Sequence, residues 1–105
     1  MSDVAILERD WQKTVTDALD VFGWRWIHFR PARTEKGWRT PVSGFAGFPD
    51  VVAVRADRVV YIELKTEGGR LGQGQAEWLA ALGLAGAEVH CWRPSDWAEV
   101  EEFLR

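Results

Sequence analysis

A chain of 105 residues, 47% hydrophobic and 28% charged, is long enough for one compact domain and too short for two. A single cysteine, Cys91, excludes an internal disulfide framework and a cysteine-rich zinc site, and no stretch approaches the roughly 18 apolar residues of a membrane span. The net charge of −3 argues against a nucleic-acid partner only until it is divided: residues 25–70 hold nine Lys/Arg against five acids, a local +4, and the remainder carries −7.

The Met1–Trp11 segment carries Asp3, Glu8, Arg9 and Asp10, unlike a signal peptide, so the expected location is intracellular, in the cytoplasm or at the nucleoid. Leu7, Trp11, Val15, Leu19 and Phe22 recur at helical spacing, with Gly23 as the stop. Glu8 and Gln12 sit one position round from this stripe, on one edge of the helix. Trp24–Arg30 alternates and is aromatic, which predicts a strand; His28 shares a face with Trp26 and Arg30 and reads as structural. From Pro31 to Gly47 the chain is polar and rich in turn residues, a loop with Arg33, Lys36 and Arg39 spaced through it. Loops of that length in small domains are usually functional, and its Trp38 is a candidate for base stacking.

Two β-branched runs follow, Phe48–Val54 and Val59–Lys65, separated by Arg55-Ala56-Asp57-Arg58. They predict an antiparallel hairpin. An even-numbered loop centred between Ala56 and Asp57 would set Arg55 opposite Arg58, Val54 opposite Val59, and Asp50 opposite Glu63. Val51, Ala53, Val60, Ile62 and Leu64 then face one way and Val52, Val54 and Tyr61 the other, both faces apolar as two-sided helical cover requires. Gly68, Gly69, Gly72 and Gly74 bridge to a second helix with Trp78, Leu79 and Leu82 as its stripe and Gly86 as its stop. Glu88–Arg93 reads as a fourth strand. Pro94 breaks the chain, and Ser95 is a candidate N-cap for a last helix with Trp97, Val100, Phe103 and Leu104 inward. Helix, three strands, helix, strand, helix is an α/β order with a sheet covered on both faces.

The pair at the open end of the hairpin carries the chemistry. Directly opposed strand residues have Cβ atoms about 4.5–5.5 Å apart, where like charges repel. A hard divalent cation ligated by Asp50 and Glu63 offsets that repulsion. Lys65 follows Glu63 on the same side, since strand side chains alternate with period two. Two carboxylates, a cation and a lysine suggest a metal-dependent phosphodiesterase. The glycine bridge lacks the GxxxxGK[ST] phosphate loop, which speaks against nucleoside triphosphate hydrolysis.

Pro49-Asp50, then Glu63-Leu64-Lys65, then Gln75 opening a helix resembles the PD-(D/E)XK nuclease superfamily. With Gly47-Phe48-Pro49-Asp50, Gly69-Arg70-Leu71 and Gln75-Ala76-Glu77-Trp78-Leu79 included, the chain looks most like the VRR-NUC (virus-type replication-repair nuclease) branch, from Glu8 to about Trp92. The resemblance implies one domain over residues 1–105 with a restriction-endonuclease-like αβββαβ core, a mixed central sheet flanked by helices on both faces, and a short C-terminal helix. It implies Asp50 and Glu63 as metal ligands, Lys65 as the catalytic lysine, and Glu8 and Gln75 as accessory site residues. A phage or prophage source is compatible with it.

On that reading Mg²⁺ or Mn²⁺ takes oxygens from Asp50, Glu63 and the Leu64 backbone carbonyl and keeps several waters. Glu8, brought in by a first helix lying over the Val52/Val54/Tyr61 face, is a third carboxylate at the metal's edge. Gln75 orients Lys65 or touches a phosphate. Arg30, Arg33, Lys36, Arg39 and Arg70 are the candidate DNA contacts. The expected activity is a DNA endonuclease acting on branched or Holliday junction DNA, like the resolvases that stand-alone relatives resemble. The alternatives are a nick- or flap-directed repair nuclease and a non-catalytic DNA-binding or assembly module. Paired incision of a four-way junction calls for a homodimer, with the Trp24-Arg25-Trp26 strand and the helix around Trp97 as candidate interfaces.

Overall fold

The computed structural model describes residues 6–29, 32–34, 37–39 and 43–105, with the backbone alone described at 32–34 and 37–39. Its elements are α1 (Glu8–Val21), β1 (Arg25–His28), β2 (Ala32–Thr34), β3 (Gly37–Arg39), β4 (Val51–Arg55), β5 (Arg58–Leu64), α2 (Gln73–Leu84), β6 (Glu88–Trp92), a 3-10 turn (Pro94–Asp96) and α3 (Trp97–Leu104). A four-stranded sheet runs β1-β4-β5-β6. β1, β4 and β5 are antiparallel neighbours and β6 joins β5 in parallel, the direction that a helical crossover such as α2 produces. The architecture is therefore an α/β fold with a mixed open sheet, flanking helices and a C-terminal helix.

The hairpin register is the expected one: Val51 faces Ile62, Val54 faces Val59 and Arg55 faces Arg58. Ala56 takes φ +55°, the left-handed conformation that two-residue hairpin turns need. One face of the sheet (Val51, Ala53, Val60, Ile62, Leu64, Trp92) is fully buried with Trp11, Val15 and Leu19 of α1 and Val100 and Leu104 of α3. This corrects the expected placement of α1, which covers this face and not that of Val52, Val54 and Tyr61. The opposite face receives α2, through Trp78 against Phe48, which stands on Tyr61. The reason is the width of the apolar stripes: α1 carries a full stripe from Trp11 to Leu19, whereas no α2 residue is fully buried.

Two other expectations are corrected. Part of the presumed loop after Pro31 is a two-stranded ladder of β2 and β3, a local hairpin with Lys36 outside the described residues. Ser95 does not cap the last helix. Its hydroxyl donates to Glu67 Oε2, and Asp96 accepts from the Arg93 N–H at 2.8 Å. The turn therefore precedes α3 by three residues.

The C-terminal helix is fastened to the sheet by its last carbonyls, the groups a helix leaves without internal partners. Trp24 Nε1 and Arg55 Nη1 both donate to the Leu104 carbonyl, each at 2.9 Å. Trp26 Nε1 donates to Asp20, and the Trp97 ring stands edge-on to Trp11. Trp24, Trp26 and Trp97, the residues singled out as interface candidates, all make contacts within the chain. No helix among the described residues is long and apolar enough to cross a membrane.

Candidate active site

Asp50 is the residue just before β4, and Glu63 is the last but one of β5. The site is the end of the hairpin where regular pairing stops, and Pro49 is the reason. Extended by two residues, the register would set Pro49 opposite Leu64. Proline has no N–H to give the Leu64 carbonyl, so the ladder cannot close there. The Leu64 N–H turns to the Asp50 side chain instead, donating to Oδ2 at 3.1 Å. That bond fixes one carboxylate with a main-chain donor.

Glu63 is fixed by side chains. Gln75 Nε2 donates to Glu63 Oε2 at 3.1 Å, and Lys65 Nζ lies 3.4 Å from the same oxygen. The Glu63 side chain is 2% exposed, and its other oxygen, Oε1, is buried without a hydrogen-bond partner. Buried polar atoms of this kind are rare in folded proteins and call for a ligand. Burial first, and then the Asp50 carboxylate within hydrogen-bonding reach, push Glu63 from its ordinary value of 4.5 up to about 7; Lys65 opposes both. An anionic oxygen with no donor, beside a second carboxylate, suits a hard divalent cation.

The sign of the pH dependence follows. Between about 4.5 and 7 the folded chain holds a proton on Glu63 that the unfolded chain has lost, so metal-free stability falls as pH rises through that window and levels off above it. In Glu63→Gln this component is absent. Its Tm without added metal should exceed that of the wild type at pH 8 and converge with it at pH 4.5. Thermal melts in EDTA across this range measure the difference, and equal melting curves at pH 8 would remove Glu63 as a strained carboxylate.

Gln75 reaches Glu63 because two backbones cross closely. Gly47 has φ +104°, and a Cβ there would fall 2.5 Å from the Gly74 carbonyl carbon; a Cβ on Gly74 would fall 2.7 Å from the Ala46 carbonyl oxygen. Only glycine on both sides lets the segment leading to Asp50 lie against the first turn of α2. Gln75 also accepts from the Gly72 N–H through Oε1 at 2.8 Å. This N3 residue reaching back to the N-cap is half of a capping box. One carboxamide thus starts the helix and holds Glu63.

Arg93 was not singled out from sequence. Its guanidinium donates to the carbonyls of Thr66, Glu67 and Gly69, bracing the turn that follows Lys65. Glu67 is tied to Ser95 by the Ser95 N–H and hydroxyl. An arginine directly after a strand carries no sequence signal for this role, because its partners are main-chain atoms.

The structure brings together Asp50, Glu63, Leu64, Lys65 and Gln75. Glu8 is exposed on the first turn of α1. Trp92 O accepts from both Trp11 Nε1 and the Lys65 N–H, which puts that end of α1 at the site's end of the sheet. No group of three metal-ligating side chains forms among the described residues, so Glu8 does not complete a cluster with Asp50 and Glu63. Arg70 is exposed in the bridge to α2. Arg30 and Lys36 lie outside the described residues, and Arg33 and Arg39 fall in β2 and β3, where only the backbone is described.

A family model described as the VRR-NUC domain matches residues 32–95. The chain belongs to the VRR-NUC family. No curated protein matches it in a sequence search. The match spans Pro49-Asp50, Glu63-Leu64-Lys65, Gln75 and Arg93, all the residues that meet at the end of the hairpin. Nuclease-type DNA processing is the function of this class of domain, and VRR-NUC nucleases are generally divalent-metal dependent.

Proposed function

We propose that this VRR-NUC domain, one catalytic unit over residues 1–105, is an Mg²⁺- or Mn²⁺-dependent endonuclease that cuts branched DNA, four-way junctions above all, as a homodimer. The observation that carries the catalytic part is Glu63: a buried carboxylate, one oxygen unpartnered, facing a second carboxylate and 3.4 Å from a lysine. A degenerate binding module would have no reason to keep that arrangement, which is unfavourable without a ligand.

Asp50, Glu63 and the Leu64 carbonyl would hold the cation. When bound, it supplies Lewis-acid charge neutralisation and lowers the pKa of a water nucleophile. The protein's own groups do the rest. Leu64 N–H keeps Asp50 in place, and Gln75 keeps Glu63 turned toward it. Lys65, only 15% exposed at its side chain, presents an ammonium whose hydrogens can orient the attacking water and stabilise charge developing on the phosphate oxygens. Arg70, exposed in the bridge to α2, is the candidate contact for a backbone phosphate.

Selection of branched DNA draws support from the family resemblance and from the need for two matched incisions. The dimer has a candidate surface in β1, an edge strand of the sheet whose Ile27 is 54% exposed. Edge strands invite pairing with a second chain. Labelled hairpin, flap, nicked and four-way substrates, incubated with Mg²⁺, Mn²⁺ or Ca²⁺, test the reading. Paired symmetric cuts in the four-way substrate with Mg²⁺ or Mn²⁺, binding alone with Ca²⁺, and a dimer mass by light scattering are expected. Single nicks by a monomer would assign the domain to flap or nick repair instead.

A further inference from the structure

Beside the carboxylates the fold builds an aromatic corner that phosphodiester hydrolysis does not use. The rings of Phe45 and Trp78 stand at 80° with centroids 6.4 Å apart. With Glu77 and Ala81 they wall a cavity of about 290 Å³. That lies at the bottom of the range for small-molecule sites and suits one ring system. The corner is held from behind. Trp78 Nε1 donates to the Phe45 carbonyl at 2.8 Å, and Phe48 stands edge-on to Trp78 at 5.1 Å. The Gly47–Gly74 crossing locks the two segments together. Phe45 nevertheless keeps 61% of its surface in water, so the notch is preformed and open.

Its position and charge indicate the occupant. Phe45 lies on the segment that delivers Asp50, and Trp78 lies one helical turn after Gln75. The two segments that wall the notch are thus the ones that position Asp50 and Glu63. Among the described residues no cation lines it, and Glu77 stands at its wall, a charge that would repel a phosphate. Two perpendicular rings, one to stack on and one to meet edge-on, match a flat heteroaromatic group.

We propose that the Phe45–Trp78 notch binds one unpaired nucleobase of the DNA being cut, so that substrates with unstacked bases are favoured over uninterrupted duplex. The proposal rests on the nuclease reading above. A base inside a duplex is stacked on both faces and must be extruded before it can enter such a site, whereas a base in a single-stranded gap or flap is already free.

The test is equilibrium binding in Ca²⁺, by fluorescence anisotropy, to a paired duplex and to the same duplex bearing a short single-stranded flap. Wild type should prefer the flap DNA by about 5- to 150-fold, the range for stacking one base on an aromatic side chain. Phe45→Ala should lose most of that preference at unchanged duplex affinity, and Phe45→Trp should keep it. Abasic residues in the flap should abolish the preference of the wild type and leave Phe45→Ala unaffected. A 2-aminopurine at the flap junction should change emission with wild type and not with Phe45→Ala. Equal losses on both DNAs, or no loss on either, would overturn the base site while leaving the nuclease reading intact. Wild type that binds no DNA would overturn both. A dimer that becomes a monomer in Phe45→Ala, at unchanged flap preference, would make the notch an interface between copies and overturn the proposal.

Discussion

Lys65→Ala should slow cleavage by about 10²–10³-fold at saturating metal, the scale for losing one preorganised electrostatic stabiliser of a transition state. DNA affinity in Ca²⁺ should change far less, because one phosphate contact among several is a small share of binding. The lysine also opposes the upward pull on Glu63. Without it Glu63 holds its proton to higher pH, and since a ligating carboxylate must be deprotonated, the metal concentration for half-maximal activity should rise most below about pH 7 and least at pH 8. Single-turnover rates measured over pH and Mg²⁺ separate the two effects. A loss fully rescued by more Mg²⁺ at pH 8 would make Lys65 a tuner of Glu63; a persistent loss keeps it at the reacting phosphate. Equal losses in rate and affinity would make it a docking residue.

Asp50→Asn should reduce cleavage by about 10³-fold or more, since the charge a cation supplies to phosphoryl chemistry is worth several kcal/mol. Stability should move the other way. An asparagine oxygen can still accept from the Leu64 N–H, so the main-chain contact at 3.1 Å survives. The negative charge beside Glu63 does not, and Glu63 returns toward its ordinary value because the second-largest cause of its shift is gone. In EDTA the variant should melt at or above the wild-type temperature, whereas added Mg²⁺ or Mn²⁺ should stabilise only the wild type. Wild-type cutting by Asp50→Asn would remove this residue from the mechanism.

The hairpin was legible in the sequence because its rules are local. β-branched runs around Ala56-Asp57 permit few registers, and period-two alternation then carries the pairing outward to Asp50 and Glu63 without any tertiary information. Gln75 was placed correctly at a helix start for the same reason. Its two bonds were not legible, because the one to Glu63 depends on how closely two backbones pass, and that distance is set by Gly47 and Gly74. The third carboxylate shows the same limit. Helical spacing put Glu8 and Trp11 on neighbouring faces but could not choose the side of the sheet, since both sides of the hairpin are apolar.

The sequence by itself determined the α/β order, the hairpin register, and the meeting of Asp50, Glu63 and Lys65 at one end of it, all consequences of short-range periodicity and turn chemistry. Tertiary structure alone decided which helix covers which face, because the wider stripe of α1 competes with α2 for the larger apolar area. It also decided the burial of Glu63, which turns an ordinary strand glutamate into a carboxylate with no donor for one oxygen. Burial sums over every element packed around a residue, and no local pattern reports it.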